Sequence, residues 1–402
     1  MSDKKNLLLL CPMLHQGGFE RVCVTTARLM QEFYNVYIVI FSSKDINYDV
    51  TGLNVIDINV PSEKGLVKKV LNVFKRANKI KKVKKELNCD IAYSFGSANY
   101  SNVLSGGPGR VLTGLRCQTD MEKPRQVRLF CKKSDQVLSC SKEILRQLKS
   151  DYNYDKSTYI YNPLDVNEIR TKGAQPVEDA PFAAEKEKDS DIIIISNMGR
   201  NDYIKGNWHL VKAFNLVQKE YPKARLQIFG SGDWSAYKKM AEEMGIADKA
   251  AFPGLRKNPF AYVSGSDIYV CSSNHEGFPN AVLEALALNK PVISADCKTG
   301  PREILLSDEQ YQELITRKPN GSSVTEPVLG EYGILVPDMG EQVDMDITHV
   351  TPEEEILAQQ ILRLIRDKEL AAKYSEKAAS RALFYAPDKY KDSIHEILKR
   401  YE

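Results

Sequence analysis

No Cys-x-x-Cys pair occurs among the eight cysteines, and none of them lies near a His-x3-His pattern. That spacing supports neither a zinc site nor a secreted disulfide framework, so most of these cysteines are expected as buried thiols. Long apolar runs are missing too. The first, in MSDKKNLLLLCPML, offers only about six residues before Pro12, too few to span a bilayer, and no small-residue cleavage site follows it. It is expected to be the first β-strand of a cytoplasmic protein. Internal repeats and low-complexity tracts are absent.

What is present is an ordinary globular composition on a chain of 402 residues, 43% hydrophobic and 27% charged. That is enough for two cores at roughly 150–200 residues each. The net charge of +3 conceals an asymmetry: residues 1–160 carry 26 Lys and Arg against 15 Asp and Glu, and the remainder is acidic. Short apolar runs (NLLLLCP, VYIVIFS, DIAYSFG, RVLTGLR, DQVLSCS, STYIYNP, then DIIIISNMG, RLQIFGSG, AAFPG, DIYVCSS, PVISAD) alternate with amphipathic helical stretches such as GNWHLVKAFNLVQKEYP. The expected class is α/β, two parallel sheets covered by helices. Aliphatic periodicity stops at RTKGAQPVEDAPFAAEKEKDSD, so domains are expected at 1–169 and 191–383, with a linker over 170–190.

In such sheets ligands bind beyond the carboxyl ends of strands, where loops lead into helix N-termini. SNHEGFPNAVLEALALNKPVI, from Ser273, has that form: a loop after the strand DIYVCSS, then a helix stopped at Pro291. Asn280 is the expected N-cap, and the helix start is an anion site. Gly277 allows close backbone approach and Pro279 stiffens the loop. Glu276 precedes the helix and Glu284 lies one turn inside it. Carboxylates beside a diphosphate would repel it, so both make sense as acceptors for neutral hydroxyls, a sugar on one side and a ribose on the other. The implied ligand is a nucleotide sugar.

These residues resemble the retaining GT-B glycosyltransferases of family four, the glycosyl transferases group 1. The likeness rests on EGFPNAVLEALALNKPVI with the approach FPGLRKNPFAYVSGSDIYVCSSNH, and on GGFERV, MGRNDYIKGNWHLVKAF, LQIFGSGD and YGILVP in that order along the chain. It implies two Rossmann-like domains facing a cleft, the first binding the acceptor and the second the nucleotide sugar. A C-terminal helix, 384–402, would cross back onto the first. It further implies that Arg200 and Lys205 clamp the donor diphosphate in place of a metal, so that no metal or cofactor is needed. Glu276 would hold the donor sugar at the reaction centre and Glu284 the ribose. Gly277, Phe278, Pro279, Asn280 and Ala281 would line the donor, with Gly17 and Gly18 approaching its phosphate. Arg116 stands where many relatives carry a histidine or another polar residue facing the sugar, and this half of the chain has only His15. Without a general base, retention is expected by a front-face route in which the leaving phosphate accepts the proton.

Two look-alike motifs are set aside. GSGDWS lacks the acidic residue of a dinucleotide fingerprint, and DMD (Asp344–Asp346) falls in a polar loop rather than at a strand end. The segment 306–331 exceeds the usual connection of about 2–6 residues and is either a pocket rim or a surface excursion.

The basic excess of the first half concentrates in Glu63–Asn88. Leu66, Val70, Val73, Phe74, Ala77, Ile80, Val83 and Leu87 fall on one helical stripe, expected to be core. Between them Lys68, Lys69, Lys75, Arg76, Lys79, Lys81, Lys82, Lys84 and Lys85 are either a solvated face or a contact with anionic lipid. No stacking aromatics interleave the lysines as nucleic-acid binding would need. The expected partners are therefore a uridine diphosphate sugar, a glycan carried on lipid, and the inner face of the cell membrane. An epimerase or hydrolase on a similar fold would need a general base not found here, and a non-catalytic scaffold would have no use for the basic pair with both glutamates.

Overall fold

A computed structural model describes residues 4–15, 17–318 and 320–402, all but the side chain of Leu66. The chain divides into two compact units, Met1–Pro163 with Pro387–Glu402, and Leu164–Ala386.

The first unit holds a seven-stranded sheet of Asn6–Cys11 (β1), Asn35–Ile40 (β2), Asn54–Asp57 (β3), Ile91–Phe95 (β4), Arg110–Leu115 (β5), Gln136–Ser139 (β6) and Ser157–Tyr159 (β7). The order is β3-β2-β1-β4-β5-β6-β7, parallel throughout. Leu7 to Leu10 are all fully buried because helices cover both faces, which is why β1 reads as an unbroken apolar run. β3 escaped the sequence reading: NVID is short, and none of its residues is buried.

The second unit repeats the plan with Ile193–Met198 (β8), Ala224–Phe229 (β9), Ala250–Gly254 (β10), Ile268–Cys271 (β11), Val292–Ala295 (β12), Val328–Leu329 (β13) and Ile334–Val336 (β14). Their order is β10-β9-β8-β11-β12-β14-β13, with only β13 antiparallel. The order reverses between β8 and β11, which are direct neighbours. In open α/β sheets that switch point opens a crevice at the strands' carboxyl ends.

The boundaries differ from those expected. The stretch 170–190 is not a free linker, since it carries parts of two helices of the second unit, Val166–Gly173 and Ala183–Lys188. Arg170 donates to the Ala287 carbonyl at 2.9 Å, and Glu185 pairs with Arg225 at 2.6 Å. Alternating charge looked like solvated linker; here it is the means by which short helices attach. The last helix runs Pro387–Lys399, not from 384, because Pro387 suits a first helical turn.

That helix completes the first unit's core. Tyr390, Ile394, Ile397 and Leu398 join the cluster under β1, β2 and β4. The Thr26 hydroxyl donates to the Val22 carbonyl at 2.6 Å, so Tyr390 donates the 2.6 Å bond between its hydroxyl and Thr26. Replacing Tyr390 by Phe should lower stability by about 1–3 kcal/mol, because a buried acceptor loses its partner. Denaturant unfolding followed by circular dichroism checks this, and an unchanged first transition would mean the hydroxyl contributes nothing.

The basic helix spans Leu66–Glu86 and is rolled relative to expectation. Ala77, Ile80 and Val83 are buried, but Val70 and Phe74 are exposed, together with Val67 and Leu71. Asn72 and Arg76 turn inward instead. They can do so because main-chain acceptors await them: Asn72 donates to the Pro61 carbonyl at 3.1 Å and Arg76 to the Val60 carbonyl at 2.9 Å. The Arg76 guanidinium also stacks over Phe41, 4.2 Å from the ring centre. Lys84 is fully buried, and its ammonium has no hydrogen-bond partner among the described residues; burial pulls its pKa down to about 8. Arg76 and Lys84 therefore leave the set of lipid-facing residues. Among the described residues, no helix is long and apolar enough to cross a membrane.

Candidate functional site

The chain's chemistry converges at the carboxyl ends of β8, β11, β12 and β14 in the second unit. After β8 the chain runs through Gly199 and Arg200 to a single 3₁₀ turn, Tyr203–Lys205, and then into the helix Asn207–Glu220. Gly206 joins the two at φ +55°, and a Cβ there would lie 2.3 Å from the Ser272 carbonyl oxygen. Only glycine lets the turn approach the loop after β11 so closely. The approach is bonded: Asn274 N–H donates to the Ile204 carbonyl at 2.8 Å, and the Asn274 amide to the Tyr203 carbonyl at 2.9 Å.

This seam places the Lys205 ammonium 2.6 Å from Glu276 Oε1. The lysine side chain is 22% exposed and the glutamate 11%, so the pair is shielded but still reached from solvent. Burial alone would lower the lysine pKa, and the Glu276 carboxylate more than reverses this, leaving it raised. The ammonium therefore stays charged where a neutral amine would otherwise be favoured. Arg200 lies in the same loop, its side chain 58% exposed and 3.5 Å from Asp202.

The helix Asn280–Ala287 begins next, and here the expected cap is corrected. Pro279 is the N-cap and Asn280 the first helical residue, with no side-chain cap. Proline has no side-chain acceptor, so no side chain of Pro279 caps this start, and Val282 N–H donates instead to the Pro279 carbonyl at 3.1 Å. Phe278 is buried against Tyr385, while Ala281 and Asn280 are partly exposed. Glu284, one turn in, is 6% exposed. Gly300, at φ +95°, lies against Gly277, Phe278 and Pro279, and Thr299 donates its hydroxyl to the Glu276 carbonyl.

Sequence reasoning missed the supports behind this face. Asp296, directly after β12, forms a bidentate pair with Arg302 at 2.9 and 2.8 Å, both fully buried. Asp296 also accepts from Val324 N–H at 2.9 Å, and Arg302 donates to the Ser322 carbonyl. The 306–331 insertion is thus pinned to the strand ends rather than free on the surface. A signal existed in ADCKTGPREIL, an aspartate and an arginine flanking Gly-Pro at a helix start. Asp344 of the DMD loop pairs with the buried Lys212 at 2.8 Å and with His349 at 2.6 Å.

Gly17, Gly18 and Arg116 belong to the first unit. Gly17 is the extended N-cap of the helix Gly18–Met30, and its N–H and carbonyl both bond the Tyr48 hydroxyl. Arg116 has its guanidinium committed to Tyr93 at 2.9 Å and Asn162 at 3.1 Å.

Residues 178–324 match the family model described as glycosyl transferases group 1. An uncharacterized glycosyltransferase of Methanocaldococcus jannaschii is 31% identical over 252 residues, 61% of this chain and 59% of that protein. The chain thus spans less than two thirds of that relative's length. The N-acetylgalactosamine-N,N'-diacetylbacillosaminyl-diphospho-undecaprenol 4-alpha-N-acetylgalactosaminyltransferase of Campylobacter jejuni is 25% identical over 74% of this chain and 82% of its own. Among solved structures, Anabaena HepE in complex with UDP superposes with a TM-score of 0.71 at 15% identity, over 98% of this chain and all of that one.

Asp338, after β14, sits with the insertion: its N–H donates to Ser323 Oγ at 2.9 Å. Burial, then Asp296, raise its pKa from 3.8 to about 6. Because the native state holds this proton longer than the unfolded chain, stability is full below roughly pH 4 and falls as pH rises through 6. Asp338→Asn should therefore raise Tm relative to the parent at pH 7.5 and leave it unchanged at pH 3.5. Equal Tm differences at both values would remove the titration as the cause.

Proposed function

We propose that this chain, which matches the group 1 glycosyltransferase model over residues 178–324 and has the GT-B fold, is a glycosyltransferase that moves a sugar, with retained configuration and without a metal, from a uridine diphosphate donor to a glycan carried on lipid. The observation that carries this reading is the shielded Lys205–Glu276 pair in the loops that lead to the start of the helix Asn280–Ala287. A diphosphate leaving group needs fixed positive charge and oriented N–H groups as its bond to the sugar breaks. Lys205 supplies the first, with Arg200 free enough to swing onto the phosphates, and the start of Asn280–Ala287 supplies the second. Glu276 would exchange one ammonium contact for a donor sugar hydroxyl, and Glu284 would accept from the ribose. Gly17 and Gly18 enter through the family resemblance alone. The leaving phosphate would take the acceptor's proton, so no protein base is required. Support for the donor comes from the UDP held by the Anabaena structure, and for the acceptor from the diphospho-undecaprenol in the name of the Campylobacter relative.

Lys205→Ala should lower turnover by on the order of 10² to 10³, with the fold intact by circular dichroism. The parent should turn over equally in excess EDTA. Near-normal turnover of the variant would reject the clamp, and loss in EDTA restored by magnesium would reject the metal-free route.

The membrane side of the proposal rests on the helix Leu66–Glu86. Val67, Val70, Leu71 and Phe74, spaced i, i+3, i+4, i+7, expose between 50% and 73% of their surface on one face. Lys81, Lys82 and Lys85 continue that face, and Lys68 and Lys75 flank it. Lys79 instead donates to the Ile58 carbonyl at 2.6 Å. Apolar and basic groups on one solvent face suit the boundary of an anionic bilayer, with Val67, Val70, Leu71 and Phe74 in the acyl region and the lysines at the headgroups. Changing Lys68, Lys75, Lys82 and Lys85 to Gln should release the protein from anionic vesicles at low salt. Changing Leu71 and Phe74 to Ser should weaken binding at high salt as well, where charges beyond about 3–8 Å are screened. Equal co-sedimentation with neutral and anionic vesicles, or no response to either variant, would reduce this face to a solvated one.

A further inference from the structure

We infer that a groove in the first unit, at the amino ends of β5, β6 and β7, is a site for a small organic phosphate that carries two or more negative charges and a hydroxyl. It stands independently of the transfer reading above.

Parallel sheets covered by helices bind their usual ligands at the carboxyl ends of the strands, and Gly17, Gly18 and Arg116 all lie at that edge. The groove is at the other edge, where Arg110, Gln136 and Ser157 begin β5, β6 and β7. Its volume of about 710 Å³ falls within the roughly 300–1,000 Å³ of small-molecule sites. Five exposed cations line it, Arg110, Lys132, Lys133, Lys156 and Arg400, against two carboxylates, Asp135 and Asp155. Asp135 is already committed. It accepts from Val111 N–H at 2.7 Å and from Arg110 at 3.2 Å, and its charge also acts on the buried Lys84 ammonium. The other four cations have no carboxylate partner among the described residues.

Helix ends account for only part of this charge. Lys132 and Lys133 close the helix Pro124–Lys133, and Arg400 follows the helix Pro387–Lys399, places where a cation offsets the dipole of the last carbonyls. Arg110 begins a strand and Lys156 precedes one, so neither serves a helix end. Like charges around one hollow repel each other, and an anion between them removes that cost. Lysine offers a compact charge and arginine a planar fork, and both suit phosphate oxygens. Gln136 calls for the hydroxyl. It lines the groove, is 6% exposed, and its Oε1 has no hydrogen-bond partner among the described residues. A buried acceptor costs free energy until a donor reaches it. A fully ionised phosphate has no proton to give, so the donor is a hydroxyl on the carbon skeleton of the ligand.

The test titrates glucose 1,6-bisphosphate, pyrophosphate and glucose into the full chain by calorimetry at low ionic strength. The bisphosphate should bind and glucose should not. In the triple variant Lys133→Gln, Lys156→Gln and Arg400→Gln, with an unchanged circular dichroism spectrum, affinity for the bisphosphate should fall about tenfold or more. Lys205→Ala should keep that affinity, which separates this groove from the strand-end face of the second unit. Gln136→Leu should weaken the bisphosphate and leave pyrophosphate unaffected. Phosphatidylglycerol vesicles should co-sediment equally with the parent and the triple variant. No binding of the bisphosphate by the parent, equal affinity in the triple variant, or loss of affinity in Lys205→Ala would overturn the inference. Equal response of the two phosphates to Gln136→Leu would overturn the hydroxyl contact, and release of the triple variant from vesicles would overturn the small-molecule site in favour of a lipid headgroup.

Discussion

The transfer chemistry proposed for this chain depends on keeping one ammonium ion charged in a place that water reaches poorly. Lys205 is drawn out of solvent by the seam between the loops after β8 and β11, and the cost of that burial is offset by a carboxylate 2.6 Å away. Neither residue could be placed there by its own loop. The position comes from β8 and β11 being neighbours at the reversal of strand order, from a glycine that lets two backbones touch, and from an asparagine whose amide and N–H bind the turn carrying the lysine. A pair preformed in this way already holds positive charge, ready for a diphosphate, and needs little reorganisation when the leaving group develops its own.

The same economy governs the periphery of the site. The buried Asp296–Arg302 pair would be an expensive way to stabilise a core, since an apolar pair of similar volume often does as well. Its remaining hydrogen-bonding capacity goes to the backbone at Ser322 and Val324. We read it as a clasp: two charges that must stay together fix a long insertion onto the strand ends, beside the loop that carries Glu276.

How much of this was legible in the sequence depended on the kind of interaction. Strands such as LLLL and IIII declared themselves because a sheet covered on both faces needs continuous apolar residues, and the Glu-x7-Glu segment declared itself because loop, glycine and helix start are contiguous. β3, with no buried residue, left little trace in NVID. The cap at Pro279 rather than Asn280 did not show, because asparagine is a favoured N-cap whereas proline has no side-chain acceptor to announce itself as one. The roll of the basic helix was invisible for a different reason. Arg76 and Asn72 look solvent-facing in any pattern of polarity, yet each is satisfied by a main-chain carbonyl distant in sequence. Their burial pushes Val70 and Phe74 outward. The attachment of 170–190 through Arg170 and Arg225 failed to show for the same reason, since ion pairs and side-chain to backbone bonds carry no periodic signal.

The central claim is that the strand-end face of the second unit is an anion site built for a nucleoside diphosphate. The most direct measurement is calorimetric affinity for UDP, UMP and uridine, in the parent and in Glu276→Gln, at low ionic strength and neutral pH. The account predicts that affinity rises with each phosphate in the parent. It also predicts that UDP binding persists in the variant, since the phosphates themselves can replace the carboxylate as partner to Lys205. Equal affinity for UDP and uridine in the parent would contradict it, because a site that does not distinguish them has no use for the charge that Lys205 and Glu276 are arranged to preserve.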